Sequence, residues 1–208
     1  MPSVDERVIS TDGEWDRPVP PGVRESPWPL RMGTLLFREA VEADIVTLQS
    51  FRNDPDVNWF MVRTSVEPDD LHREWLAVSD SATDYSCVVE RHGQVVAMGF
   101  LDIVDGSGQP GHPTGTDGVI GYIVHPEATG QGIGSATARA LLQAAFDGLG
   151  LRRVTAAANA DNVASVRVLE RAGMRRERHA LKALWHRELG WLDEVEYAIL
   201  DDEWEARA

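Results

Sequence analysis

Between an apolar run, Val119 to Val124, and a helical pattern lies Thr129-Gly130-Gln131-Gly132-Ile133-Gly134, a turn with glycine at every second position. A strand that ends in such a turn and opens into a helix aims several unpaired backbone N–H groups at one point, where the helix dipole adds partial positive charge. That arrangement can cradle a pyrophosphate, and glycine leaves the backbone approachable. The same glycines could serve only tight strand–helix packing. Two phosphate-binding templates fail here. A Walker A loop needs Gly-Lys-Ser/Thr, and the turn holds no lysine. A dinucleotide fingerprint needs glycine at 135 and an acidic residue closing the next strand, where Ser135 and Asn159 stand. Downstream, Asn162 and Ser165 are three apart at a helix start, a spacing that puts both on one face. Asparagine there is also a good N-cap, with Ser165 at the N3 position.

The pattern around these residues dictates the elements that must position them. Leu35-Leu36-Phe37 reads as a strand, and Asp44 to Phe51 as a helix with Ile45, Leu48 and Phe51 on one face. A second helix is expected from Pro68 to Val78. Tyr85 to Glu90 and Val95 to Val104 form an antiparallel hairpin about Arg91-His92-Gly93-Gln94, and a long glycine-rich loop spans Asp105 to Gly118. After the turn come a long helix ended by Gly148 and Gly150, a strand Val154 to Ala158 and a helix Asn162 to Ala172. Strands near Arg178 to Trp185 and Val195 to Leu200, linked by a Gly190-Trp191 turn, complete the order β-α-α-β-β-β-α-β-α-β-β. This is a mixed α/β (α+β) layer, with helices on a largely antiparallel sheet.

Residues 1–33 carry six of the eleven prolines together with Trp15 and Trp28, which excludes a helix or a central strand. An extended Pro-rich arm is expected, docked through its tryptophans on its own domain, residues 34–208, or on a neighbouring subunit, the alternative being a disordered leader. The chain has 208 residues, with 20 Lys plus Arg against 34 Asp plus Glu, a formal net charge of −14. That sign argues against a nucleic-acid partner gripped through its phosphates. No apolar run approaches the length of a membrane span, and Met1-Pro2-Ser3-Val4-Asp5-Glu6 lacks the basic and apolar regions of a secretion signal, so a cytoplasmic location is expected. Cys87 is the single cysteine, so no intramolecular disulfide or multi-cysteine metal site is expected.

Taken with Pro126, the segment Gly130-Gln131-Gly132-Ile133-Gly134-Ser135-Ala136 resembles the acyl-CoA-binding motif of the GCN5-related N-acetyltransferase (GNAT) superfamily. Asn162 to Ser165 and Leu169-Glu170-Arg171-Ala172-Gly173-Met174 are similar to that superfamily's next helix. Gly190-Trp191, Asp193, Glu196-Tyr197 and Glu203-Trp204 are similar to its ribosomal-protein N-terminal acetyltransferase branch, the RimJ/RimL type. The resemblance covers about Leu35 to Trp204 and implies the GNAT fold: a largely antiparallel central sheet, helices on both faces and a strand pair splayed for acyl-CoA. It implies acetyl-CoA as co-substrate, with no metal. The cofactor would touch Tyr122, Ile123 and Val124, then Thr129, Gly130, Gln131, Gly132, Ile133, Gly134 and Ser135, then Asn162 and Ser165.

The resemblance further implies direct attack of a primary amine on the thioester in a ternary complex. Asn162 would bond the pantetheine arm, Ser165 would protonate the departing thiolate, and a backbone N–H near Ile123 or Val124 would polarise the carbonyl. His179 is the candidate base, an imidazole that titrates near neutrality, or else a solvated strand residue. Trp59 and Phe60, Glu188, Trp191 and Asp193 are candidates for the acceptor groove, the two aromatics being equally compatible with core packing. Three departures stand out: Thr129 where many relatives have Arg or Gln, Leu169 where some have a tyrosine acid, and Val119 where several have a glutamate base. The expected acceptor is a peptide N-terminus or a small-molecule amine, with a homodimer as a possible assembly. Alternatives are a longer acyl donor, an antibiotic-like amine, and a non-catalytic acyl-CoA-binding module.

Overall fold

The computed structural model of the protein describes residues 24–206, so Trp15 and the first prolines of the expected arm lie outside the described residues. Leu30–Met32 (β1) and Leu35–Arg38 (β2) pair antiparallel about Gly33, whose φ of 59° suits glycine. The last part of the expected arm is therefore an edge strand of the sheet. It docks on its own fold: the indole of Trp28 is buried and donates to the Tyr85 carbonyl at 2.9 Å, and Arg24 donates to the carbonyls of Leu149 and Gly115.

Ile45–Arg52 (α1) and Pro68–Leu76 (α2) follow, the second opened by Pro68 at its first turn with Asp69 and Asp70 set against the positive end of the dipole. Helix α2 stops at Leu76, two residues before the expected Val78, which begins a 3₁₀ turn. Cys87–Arg91 (β3) and Gln94–Val104 (β4) form the expected hairpin, turning on His92 and Gly93 with φ of 53° and 80°. Next come Asp117–Val124 (β5), the helix Ile133–Gln143 (α3) prolonged by one π turn at Ala144–Gly148, Arg153–Asn159 (β6) and Val163–Arg171 (α4).

The chain ends with Arg175–His186 (β7), Gly190–Leu200 (β8) and a short helix, Asp201–Glu205 (α5). Gly190 and Trp191 are not the turn between these strands but the start of β8, paired with His186 and Trp185. The turn is residues 187–189, because the His186 ring supplies its acceptor: Nδ1 takes the N–H groups of Glu188 and Leu189 at 3.2 and 3.1 Å.

One sheet results, in the order β1-β2-β3-β4-β5-β6-β8-β7, with β5–β6 its one parallel pair. Helices α3 and α4 cover one face, where Leu141, Leu142 and Leu169 pack on Leu101, Ile120, Val154 and Tyr197. Helices α1 and α2 lie on the other face, over β3, β4 and β5 only, through Leu48, Phe51 and Trp75 against Val88, Met98 and Ile123. On that second face β6, β8 and β7 present ion pairs instead, including Arg153–Glu177 and Arg178 with Glu194 and Glu196.

Candidate active site

Strands β5 and β6 are paired at three positions, Asp117–Arg153, Gly118–Val154 and Val119–Thr155, and then separate. Each stays bound to its outer neighbour: β5 to β4 as far as Val124, and β6 to β8 as far as Asn159. A gap opens from Ile120 onward, with one backbone edge of each strand facing into it. Its wide end leads to the glycine turn. Gly130 and Gly132 have φ of 77° and 78°, and nothing lies within 4 Å of where a Cβ would stand on either. Gly132 is also the N-cap of α3, and no side chain caps that helix. The N–H donors of the first turn are thus directed outward with no side chain taking them. Gly134 has a different reason: a Cβ there would touch Val124, Val168 and Tyr122, where α3, α4 and β5 converge.

Helix α4 starts beside the gap. Asn162 Oδ1 accepts the Ser165 N–H at 3.1 Å, so the capping role is real, and it leaves the amide nitrogen of Asn162 for another partner. Ser165 is half-buried, and its carbonyl accepts the Tyr122 hydroxyl at 3.3 Å. Burial pushes the Tyr122 phenol up to about 12, so it remains a neutral donor. Leu169 is buried in the core under α4. The structure therefore brings together the glycine turn, Tyr122, Asn162 and Ser165, four features separated by up to forty-three positions.

The residues expected around the acceptor divide into two groups. Trp59 and Phe60 sit in loop 53–67, which is pinned from inside: buried Arg52 donates to Asn58 Oδ1 at 2.8 Å, and Asn58 donates to the carbonyls of Arg52 and Thr64. Their rings stand 4.7 and 6.2 Å from that of His186, whose Nε2 donates to the Trp59 carbonyl at 2.8 Å. With Nδ1 accepting two N–H groups and Nε2 donating, the orientation of the ring is fixed from both sides. His186 thus ties the α1–α2 loop to the β7–β8 ribbon. Consecutive strand residues point to opposite faces, so Trp185 and its pair Trp191 lie on the other side of the ribbon, edge to face at 5.4 Å and both exposed. Glu188 is exposed at the ribbon tip beside Arg187.

His179 is on β7, with β8 and β6 between it and the gap, roughly 10 Å away at about 4.8 Å per strand. Its Nε2 bonds Asp193 Oδ2 at 2.9 Å, and Asp193 Oδ1 accepts the Lys182 N–H. That backbone bond, with His179 second, holds the Asp193 carboxyl below the usual range. The structure therefore pairs His179 with Asp193 but does not bring either to Ser165.

Sequence reasoning missed Arg91 and His186. Arg91, at the end of β3, donates to Gln131 Oε1 at 2.8 Å and so sets a guanidinium against the glycine turn; the link between positions 91 and 131 has no local signal. His186 offers only a lone histidine in a strand pattern.

A family model described as an acetyltransferase (GNAT) domain matches residues 34–175. The chain is 36% identical over 85 residues to a Bacillus subtilis protein named as an uncharacterized N-acetyltransferase, YnaD, a match spanning 41% of this chain and 49%, about half, of that relative. Among solved structures, the ribosomal-protein-S5-alanine acetyltransferase of Vibrio fischeri is 20% identical with a TM-score of 0.71, covering 85% of this chain and 98% of that one. The spermidine N-acetyltransferase of Vibrio cholerae, solved with CoA and spermine, is 17% identical with a TM-score of 0.72, covering 84% and 99%. At these identities the two structures share the fold.

Proposed function

Since the chain belongs to the GNAT acetyltransferase family, we propose that it transfers an acetyl group from acetyl-CoA to a primary amine by direct attack in a ternary complex. The observation that carries this reading is the β5–β6 gap leading onto an α3 N-terminus free of any side-chain cap. In it the pantetheine arm bonds the open strand edges as an added strand, and the pyrophosphate rests on the N–H groups of residues 130–135. Arg91 adds a cation beside the turn, which offsets the neutral Thr129. A β5 N–H near Ile123 or Val124 polarises the thioester carbonyl, the Asn162 amide holds the arm, and Ser165 returns a proton to the thiolate.

The two Vibrio proteins of this fold are named for a protein alanine and for spermidine, and both are primary amines, which supports an amine of that class here. A cytoplasmic setting belongs to the same proposal. So does a homodimer, supported by Leu181, Trp185, Leu189 and Trp191 exposed together on the ribbon. The test is release of CoA thiol from acetyl-CoA by the purified protein, offered peptides with N-terminal alanine and spermidine. Ser165→Ala should lower kcat about 10²-fold with little change in acetyl-CoA affinity, because a proton donor acts mainly in the transition state. Equal kcat values would remove Ser165 from the chemistry.

A further inference from the structure

Transfer requires a neutral amine, so some group at the closed end of the gap must take a proton from the arriving ammonium ion. Most carboxylates near the second face already have partners. Asp117 is neutralised by Arg152, Glu177 by Arg153 and Arg175, and Glu194 and Glu196 by Arg178. Asp193 is engaged with His179 and Lys182 at the far side of the sheet. Asp102 differs: among the described residues it makes no ion pair with a cation. It lies on β4 directly across from Val119, the last β5 residue still paired with β6. Cross-strand partners share a face with Cβ atoms about 4.5–5.5 Å apart, so Asp102 stands at the corner where the gap begins. Strand alternation puts it on the face of Met98 and Phe100, which is the face of α1 and α2. It is accessible from solvent on that face.

We infer that Asp102 is the proton acceptor for the amine, acting directly or through one water at the closed end of the β5–β6 gap. The inference rests on the acetyltransferase reading above. Asp102 takes one proton from the ammonium and passes it to water. The amine nitrogen adds to the thioester carbon, the C–S bond breaks as the intermediate collapses, and the second N–H proton replaces the one that Ser165 gives to the thiolate.

The surroundings suit this task. Asp84 bridges to Asp102 as an isolated pair ahead of β3. Although the side chain meets solvent, its partial desolvation against the sheet, then the Asp84 charge, raises the Asp102 carboxyl to about 6, near the pH at which a proton must be both taken and released. Among the described residues, the other elements at this corner add no cation that lacks a carboxylate partner of its own. Strand β5 offers Val119 and Gly121, β6 offers Thr155, α2 packs Trp75 on Phe100, and Arg153 one pair below is held by Glu177.

Asp102→Asn and Asp84→Asn test this in the full-length protein, with thiol release followed from pH 5 to 9 using whichever of an alanine-led peptide and spermidine reacts faster. Asp102→Asn should lower kcat/KM about 10²-fold and abolish the acidic limb of the profile, while calorimetric CoA binding stays unchanged and reports a folded site. Asp84→Asn should shift the limb to lower pH, since removing a neighbouring negative charge lowers the carboxyl it was raising. A carboxyl ¹³C signal titrating near 6, lost in Asp102→Asn, gives the same information without turnover. An unchanged acidic limb in Asp102→Asn, or titration of Asp102 in the ordinary carboxylate range, overturns the inference and leaves the transferase intact. No CoA binding, or binding with no turnover of either amine, overturns the transferase reading and the base with it.

Discussion

At the glycine turn the working groups are main-chain N–H donors of residues 130–135, aimed by the first turn of α3 and exposed because Gly130 and Gly132 carry no side chain. At the β7–β8 ribbon they are side chains from two segments 127 positions apart, joined by the His186–Trp59 bond. A backbone cradle is fixed as soon as its helix forms, and substitutions harm it chiefly by adding bulk or charge. The ribbon wall depends on each of its side chains, and its polar groups are exchangeable one at a time. The two ends should therefore fail differently and independently.

The largest effect should come from the turn. Gly132→Glu forces a side chain onto a φ of 78° and sets a carboxylate against the pyrophosphate, so CoA affinity should fall about 10²-fold or more. Calorimetry on the folded variant decides it. Undiminished CoA binding would remove the turn from the site and, with it, the difference between the two ends.

Why one end was legible in the sequence and the other was not follows from the same difference. A strand, a glycine turn and a helix are contiguous, so the cradle can be read from residues 119–136 alone. The gap could not be read so, because nothing in Val119–Val124 shows that β6 leaves it after three pairs; the resemblance supplied that. His186 becomes a bridge only when loop 53–67 returns to it. Asp102 looks like the solvent-side residue of an alternating strand, between buried Leu101 and Ile103. Other differences between pattern and structure are local. The Pro-rich composition hid β1, since an edge strand tolerates proline at its margin, and Gly190-Trp191 looked like a turn whose real acceptor is an imidazole.

A smaller effect, and a sharper test of independence, comes from His186→Phe. The substitution keeps a ring near Trp59 and Phe60 but strands the Trp59 carbonyl and the N–H groups of Glu188 and Leu189. An unsatisfied polar group costs about 1–3 kcal/mol when buried, and less where water can reach it, as at the ribbon tip. Tm should drop by several degrees, at about 2–4 °C per kcal/mol for a chain this long. Acceptor KM should rise several-fold as the loop loosens, while the CoA dissociation constant holds. A matching loss of CoA affinity would show that the two ends are one cooperative unit.

The smallest effect belongs to the charges of the ribbon, exposed Glu188 and half-buried Asp193. Charges this open to solvent act weakly and are screened by salt. Glu188→Gln combined with Asp193→Asn should raise KM for a cationic amine roughly two- to five-fold at low ionic strength, with the difference vanishing as salt is added. The pH dependence has a definite sign. The Lys182 N–H, then His179, lowers the Asp193 carboxyl, so its negative charge is present above the ordinary carboxylate pKa and is lost only as pH falls through the lower folded value. The KM difference should accordingly persist unchanged across pH 5 to 8, unlike the acidic limb assigned to Asp102, which falls within that range. Kinetics of wild type and double variant at low and high salt, at pH 5.5 and 7.5, separate the two. A KM difference that appears only at the higher pH would move the acceptor's charge contact away from Asp193, and an anionic amine preferred over a cationic one would remove both carboxylates from acceptor binding.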